Sequence, residues 1–314
     1  MSVRAEFVRL SVRCFVKHRT RRDATVEQIR QRAAAFERLV PAPPASTRTR
    51  EIDAGGVTAD HITTPASDEH RHILFLHGGG YLIGSPSLYR HFTWRVADAA
   101  KASVLSLDYR LAPEHPFPAA LDDAVGAYRW LLANGADPDR IAVLGDSAGG
   151  GLALSLLLRL RDEGIRLPAA AVALSPWTDL GLTGASFTSN AAGDPLVSAE
   201  QARRFVGYYL DGADPRLPYA SPLYGDLAGL PPTFIHVGSD EILRDDAVRM
   251  ADRMREAGCR VELEIWPRMP HVWHLFAPLI PEARRAIERF GVFIRSGTGG
   301  CETEAHPARF APIT

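Results

Sequence analysis

Ser147 stands in the run 141–150, Ile-Ala-Val-Leu-Gly-Asp-Ser-Ala-Gly-Gly, where an apolar strand pattern ends in Gly145-x-Ser147-x-Gly149 and passes directly into the helical Leu-Ala-Leu-Ser-Leu-Leu-Leu of 152–158. A strand turning that sharply into a helix leaves no room for side chains at the two glycine positions. The turn lifts the serine Oγ into the open on a strained backbone. G-x-S-x-G alone is common; the strand before it and the helix after it give the motif its meaning as a nucleophile elbow. Serine is a poor nucleophile near neutral pH, so the chemistry requires a base in hydrogen-bond reach and an acid to orient that base. Both follow in the sequence. Gly238-Ser-Asp240-Glu241 closes a strand pattern at 233–237, and Pro270-His271 follows one at 261–266. The order Ser, Asp, His is that of hydrolases built on this elbow. Asp240 is preferred to Glu241 as the acid because it lies closer to the strand end. His271 is preferred as the base to His274, which would share a face with it on a short helical turn and serve packing. Asp245 and Asp246 open the next helix, where the macrodipole alone accounts for acidic residues. The other nine histidines have no comparable setting.

An acyl-transfer serine also needs donors for the oxyanion. His77-Gly78-Gly79-Gly80 follows the apolar strand 73–76, and three glycines free the backbone N–H groups to turn towards a substrate oxygen. The run lacks both G-x-G-x-x-G and the Lys-Ser/Thr of a P-loop, which argues against a phosphate cradle. The second arm is expected at the N–H of Ala148, the residue after the nucleophile.

The elements that must position these groups alternate along the chain. Strand patterns occur at 47–52, 57–63, 72–77, 103–109, 141–145, 170–175, 233–237 and 261–266, with helical patterns near 88–100, 119–133, 148–162, 244–257 and 281–294. Continuous apolar strands such as Ile73-Leu-Phe-Leu76 predict an α/β fold with a mostly parallel eight-stranded sheet and helices on both faces. Ligands then belong at the carboxyl ends of the strands. Two segments break the alternation, 1–44, with a capping box at Thr25-x-x-Gln28, and the insertion 182–226; together they predict a helical cap on a core of 45–181 and 227–296. A flexible tail is expected over 297–314.

The bulk composition excludes more than it assigns. With 314 residues, 46% hydrophobic and net charge -1, the chain lacks the basic excess that a phosphate backbone requires, so nucleic acid is not an expected partner. No apolar run is long enough to span a bilayer and no signal-peptide core is present. Residues 1–22 mix Val3, Phe7, Val8, Leu10, Val12, Phe15 and Val16 with many Arg and Lys; this basic amphipathic helix is expected to pack on the body rather than on a membrane. Cys14, Cys259 and Cys301 are odd in number and widely spaced, implying neither a disulfide framework nor a metal site. A reducing, cytoplasmic location is expected. The reaction calls for no metal or organic cofactor, the expected partner is a small-molecule ester, and a homodimer stays open.

Five motifs in one order, His77-Gly-Gly-Gly80, Tyr109-Arg-Leu-Ala-Pro-Glu114 with Phe117-Pro-Ala-Ala, Gly145-Asp-Ser-Ala-Gly149, Ser175-Pro-Trp-x-Asp179 and Gly238-x-Asp240, resemble the hormone-sensitive-lipase-like (family IV) carboxylesterases of the α/β-hydrolase fold. The resemblance covers about 73–293. It implies a serine-esterase mechanism, a two-part helical cap, and oxyanion donors at Gly79, Gly80 and Ala148. One departure is His271-Val272-Trp273, where many members have His-Gly-Phe. The expected activity is hydrolysis of short- to medium-chain acyl esters through an acyl-enzyme, with Ser147, His271 and Asp240 as the triad. Tyr81, Leu82, Trp177, Phe205, Tyr208 and Tyr209 are expected lining of an apolar acyl pocket. Amide, lactone or deacetylation chemistry would use the same residues. A non-catalytic receptor on the same fold is the reading from another class, and the retained Ser, Asp and His argue against it.

Overall fold

Strand β3, Asp68–Leu76, shows how the alternation becomes two layers of core. Ile73 and Phe75 face helices α3 (Pro86–Ala100) and α9 (Pro281–Gly297), meeting Phe92, Val96, Ile287 and Phe290. Leu74 and Leu76 face the opposite side and helices α4 (Ala119–Ala133) and α5 (Ala148–Asp162), meeting Leu121, Leu152 and Leu156. The last four positions of β3, 73–76, are apolar and buried throughout, as a sheet covered on both faces demands, each large side chain contributing about 1.5–3 kcal/mol on burial.

The computed structural model describes residues 2–12, 24–38 and 40–299. The strands are β1 (Arg48–Asp53), β2 (Thr58–Thr63), β3, β4 (Ala102–Leu107), β5 (Ile141–Asp146), β6 (Ala170–Leu174), β7 (Thr233–Gly238) and β8 (Val261–Trp266). They form one eight-stranded sheet in the order β1-β2-β4-β3-β5-β6-β7-β8. β2 is antiparallel to both neighbours, and every pair from β4 to β8 is parallel. The remaining helices are α1 (Val3–Val12), α2 (Val26–Glu37), α6 (Ser186–Ser189), α7 (Ala199–Leu210) and α8 (Arg244–Glu256). The insertion between β6 and β7 contains α6 and α7, and Arg204 of α7 donates to the Ala24 carbonyl at 2.8 Å, so the insertion meets the N-terminal segment. Thr25 caps α2 with the reciprocal Gln28 bond of a capping box.

Two expectations change at the ends of the chain. In α1 the buried side chains are Ala5 and Val8, while Val3, Phe7 and Leu10 face outward; the apolar positions follow two faces rather than the single stripe expected, and residues 13–23 lie outside the described set. The tail begins later than 297. α9 runs through Gly297, and Thr298 is buried, its Oγ1 donating to the Ile294 carbonyl at 2.7 Å and accepting from Arg71 Nε at 2.8 Å. Residues 300–314 lie outside the described set, as do Cys14 and Cys301. Cys259 is a free thiol. Among the described residues no helix is long and apolar enough to cross a membrane.

Candidate active site

Ser147 joins β5 to α5 with φ 53° and ψ -120°, a left-handed conformation that costs a non-glycine residue free energy and that a tight turn must impose. The glycines explain how. A Cβ on Gly145 would come 2.1 Å from the Gly149 carbonyl oxygen, and one on Gly149 would come 2.0 Å from that of Leu76. The Ser147 backbone is fixed by its N–H on Leu174 O (2.8 Å) and by its carbonyl, which accepts from Trp177 N (2.9 Å). The hydroxyl is left facing His271, with Oγ to Nε2 at 2.8 Å.

The acid against His271 is Glu241, not Asp240. Its Oε2 meets His271 Nδ1 at 2.7 Å, and its Oε1 accepts from Gly238 N–H at 2.5 Å and from the Ser175 hydroxyl at 2.8 Å. The reason lies in the turn after β7. Glu241 N bonds back to Gly238 O at 3.3 Å, which reverses the chain and returns residue 241 to the sheet edge. Ser239 and Asp240 are thereby turned to the outer side, where Asp240 Oδ1 accepts from Ser239 Oγ at 2.8 Å and Arg9 of α1 is within its field. Proximity to the strand end in sequence therefore points the wrong way, and the longer side chain of the next residue spans the gap. Ser175 links both partners, because its Oγ also accepts from Val272 N at 3.2 Å beside the histidine. The insertion braces the same turn: Asn190 Nδ2 donates to the carbonyls of Ser239 and Glu241, and Asp194 Oδ2 accepts from Ile242 N at 3.0 Å. Ser175 opens the motif Ser175-Pro-Trp-x-Asp179, but nothing in the sequence points to its bridging of Glu241 and Val272, and Asn190 and Asp194 carried no sequence signal.

Burial disfavours a charged His271, but the hydrogen bond and the charge of Glu241 outweigh it and hold the imidazole above its ordinary value. His274 is buried elsewhere. Its Nε2 meets His236 Nδ1 at 3.0 Å, His236 Nε2 meets Glu264 Oε2 at 2.9 Å, and Arg289 pairs with Glu264. Burial keeps His274 well below the normal imidazole range, so it stays neutral and structural.

The glycine arm is held open from below. His77 stacks on Tyr109 with centroids 4.3 Å apart, its Nδ1 bonds to Gly78 O at 2.7 Å, and burial lowers it to about 4, so it is a neutral prop. Gly79 and Gly80 take φ of 117° and 64°, and among the described residues no acceptor takes their N–H groups. The N–H of Ala148 is the first of α5 and has no intrahelical partner. Of the expected lining, Tyr81, Leu82 and Tyr209 are fully buried, with Tyr81 and Tyr209 stacked at 3.6 Å. Trp177 is buried against the elbow, where a Cβ on Gly151 would meet its carbonyl at 2.1 Å. Tyr208 is half-buried. Phe205 of α7 is different: its half-buried ring lies directly on the arm, 2.2 Å from where a Gly80 Cβ would stand.

The remaining motifs serve this frame. Arg110 pairs with Asp123, and Arg30 of α2 donates to the carbonyls of Leu82 and Ala112 while pairing with Glu114 at 2.7 Å. Asp179 accepts from Thr183, Tyr224 and Arg249 where the insertion begins. Asp246 exceeds its expected role of complementing a helix terminus; it is fully buried and accepts the N–H groups of Thr178 and Asp179, both at 2.9 Å.

Comparison with known proteins then decides the family. A model of the alpha/beta hydrolase fold matches residues 73–275. An acetyl-hydrolase of Streptomyces hygroscopicus is 48% identical over 278 residues, 87% of this chain and 91% of its own, and an esterase of Acinetobacter venetianus is 36% identical over 82% and 85%. A solved esterase of the bacterial hormone-sensitive lipase family superposes with a TM-score of 0.91 at 45% identity, over 95% of this chain and 99% of that one. The chain belongs to the hormone-sensitive-lipase-like α/β-hydrolases. In this hydrolase the ends of β3, β5, β7 and β8 lead into the segments that carry Gly79 and Gly80, Ser147 and Ala148, Glu241, and His271.

Proposed function

We propose that this carboxylic ester hydrolase acts through an acyl-enzyme formed on Ser147, with His271 as base and Glu241 as its orienting acid. The observation that carries this reading is the hydrogen-bonded series Ser147 Oγ to His271 Nε2 at 2.8 Å and His271 Nδ1 to Glu241 Oε2 at 2.7 Å. Glu241 Oε1 is occupied by two donors, so Oε2 receives the Nδ1 proton. The Nε2 lone pair then faces the serine hydroxyl. Ser147 Oγ bonds to the ester carbonyl carbon as its proton passes to Nε2, and the carbonyl oxygen takes the negative charge among the N–H groups of Gly79, Gly80 and Ala148. Collapse breaks the bond to the alkoxy oxygen, which leaves with the Nε2 proton as the alcohol. Water, deprotonated by the same nitrogen, attacks the acyl carbon; the carboxylic acid departs and the proton returns to Ser147. No step calls on a metal or an organic cofactor.

Short- to medium-chain acyl groups fit best. What supports this is that Phe205 rests on the glycine arm, Tyr81 and Tyr209 are stacked beside it, and α2 is clamped over the same loop through Arg30, so α2 with α7 forms a cap that restricts the space over the arm. Cys259 as a free thiol suits a reducing, cytoplasmic setting.

Two measurements test this. Ser147→Ala should remain folded, lose on the order of 10⁴-fold in kcat on p-nitrophenyl butyrate and escape organophosphate labelling. Retention within about tenfold of the parent would reduce Ser147 to a turn residue. Across acetyl, butyryl, hexanoyl and dodecanoyl esters kcat/KM should peak at or before hexanoyl; a maximum at dodecanoyl would make the enzyme a lipase.

A further inference from the structure

Asp146 precedes the nucleophile, is fully buried, and has no part in the proton transfers above. Its Oδ1 accepts the Gly78 N–H at 2.9 Å, and its Oδ2 accepts the Tyr89 hydroxyl at 3.0 Å. The same Gly78 N–H also reaches Tyr89 Oη at 3.2 Å, which closes a three-membered ring of contacts among β5, α3 and the glycine arm. A Cβ on Gly78 would stand 2.2 Å from Asp146 Oδ2, so glycine is required there for the carboxyl to approach.

The placement has a consequence for the oxyanion. Two of the three donor N–H groups, Gly79 and Gly80, follow Gly78, and the third, Ala148, lies two residues beyond Asp146. The strands beneath are joined by sheet pairing as far as Leu76 with Gly145, and the arm then leaves the ladder. The carboxyl of Asp146 bridges this gap at its base, fixing the arm relative to the elbow. We propose that Asp146, with Tyr89, is a positioning residue that sets the direction of the Gly79 and Gly80 N–H groups against the developing oxyanion. This rests on the reading of Ser147 as nucleophile with those glycines as donors. Burial pushes the Asp146 carboxyl up to about 7, and both charge states serve: the neutral acid keeps one oxygen for Gly78 and gives its proton to Tyr89 Oη. An asparagine reproduces that second arrangement, with carbonyl to Gly78 and amide N–H to Tyr89.

The test compares Asp146→Ala, Asp146→Asn, Tyr89→Phe and Ser147→Ala. Each is assayed for kcat and KM on p-nitrophenyl butyrate, and for inhibition by an alkyl trifluoromethyl ketone, which forms an oxyanion adduct, and by the matching methyl ketone, which stays planar. Loss of one oxyanion donor costs about 10²–10³-fold, so misaiming two should lower kcat of Asp146→Ala by roughly 10–100-fold with KM within about threefold. Trifluoromethyl ketone affinity should fall in step and methyl ketone affinity should hold. Asp146→Asn should recover to within about threefold of the parent, and Tyr89→Phe should show the same split at about two- to fivefold. Where Asp146→Ala does not fold, Tyr89→Phe decides by that split. Unchanged trifluoromethyl ketone affinity, equal weakening of both ketones, or an asparagine variant as impaired as the alanine one would overturn the proposal. Ser147→Ala separates the two readings: turnover surviving that change removes the nucleophile itself, whereas turnover lost there but kept in Asp146→Ala and Tyr89→Phe removes only the positioning role.

Discussion

Changing Glu241 to Gln keeps the size and shape of the side chain and alters one proton. Oε1 of Glu241 is held by the Gly238 N–H at 2.5 Å and the Ser175 hydroxyl at 2.8 Å, so the amide oxygen of the variant stays there. Its NH₂ then faces His271 Nδ1 at the position Oε2 occupied, 2.7 Å away. A donor there forces Nδ1 to accept, which places the imidazole proton on Nε2 facing Ser147. The base is now in the tautomer that cannot take the serine proton, and the carboxylate charge that balanced the imidazolium is gone. The equivalent change in a serine-histidine-acid triad lowers kcat by about 10⁴-fold, and at about 1.36 kcal/mol per factor of ten a loss of 10³–10⁴ corresponds to roughly 4–5.5 kcal/mol of barrier. Glu241→Ala is a poorer probe, since it strands three buried donors, the Gly238 N–H, the Ser175 hydroxyl and His271 Nδ1–H, at about 1–3 kcal/mol each. Asp240→Asn should cost less than about tenfold, because that carboxylate faces away from His271. The assay is kcat/KM on p-nitrophenyl butyrate with melting temperature measured in parallel. A Glu241→Gln variant within about tenfold of the parent, or an Asp240→Asn variant the more impaired at unchanged stability, would refute the assignment.

Because Glu241 holds the His271 imidazole above its ordinary value and only the neutral ring accepts the serine proton, activity should be full at alkaline pH and fall as pH drops through that raised value; the acid limb of kcat/KM should therefore lie above 6.5, and a limb below it contradicts the coupling. His274→Ala should cost about 2–5 kcal/mol in urea unfolding, since it opens a cavity and leaves His236 Nδ1 without its partner, yet change kcat by less than about tenfold; the reverse pattern would move the base to His274.

The parts that were legible in the sequence are those fixed by local pattern. Gly145 and Gly149 betray the elbow because the strand-turn-helix spacing marks both positions, Gly145 lying against Gly149 within the turn and Gly149 against the end of β3, and Ile73-Leu-Phe-Leu76 betrays a doubly covered strand because both faces are apolar. His271 was identifiable from its place after the last strand. Asp240 and Glu241 were not separable on that logic, because distance along the chain measures nothing once a hydrogen-bonded reversal at Gly238 exchanges the inner and outer sides of the turn. The aromatic cluster failed to sort for a related reason. Tyr208 and Tyr209 are adjacent on α7, and a helix sends neighbours about 100° apart, so one is half-buried while the other stacks on Tyr81; Phe205, four residues before Tyr209, meets Gly80 because α7 lies across the arm. That crossing is a property of how α7 packs on the loop after β3 and on Phe117 ahead of α4, and no periodicity within the insertion encodes it. The residues that hold the site together, Ser175, Asn190, Asp194 and Asp146, share this character: each joins segments distant in sequence, and although Ser175 and Asp146 stand inside motifs, nothing in one dimension names the partners that any of the four bridges. Chemistry in this fold is thus announced by the residues that react, while its precision rests on buried partners whose meaning exists only after the sheet has brought its strand ends together.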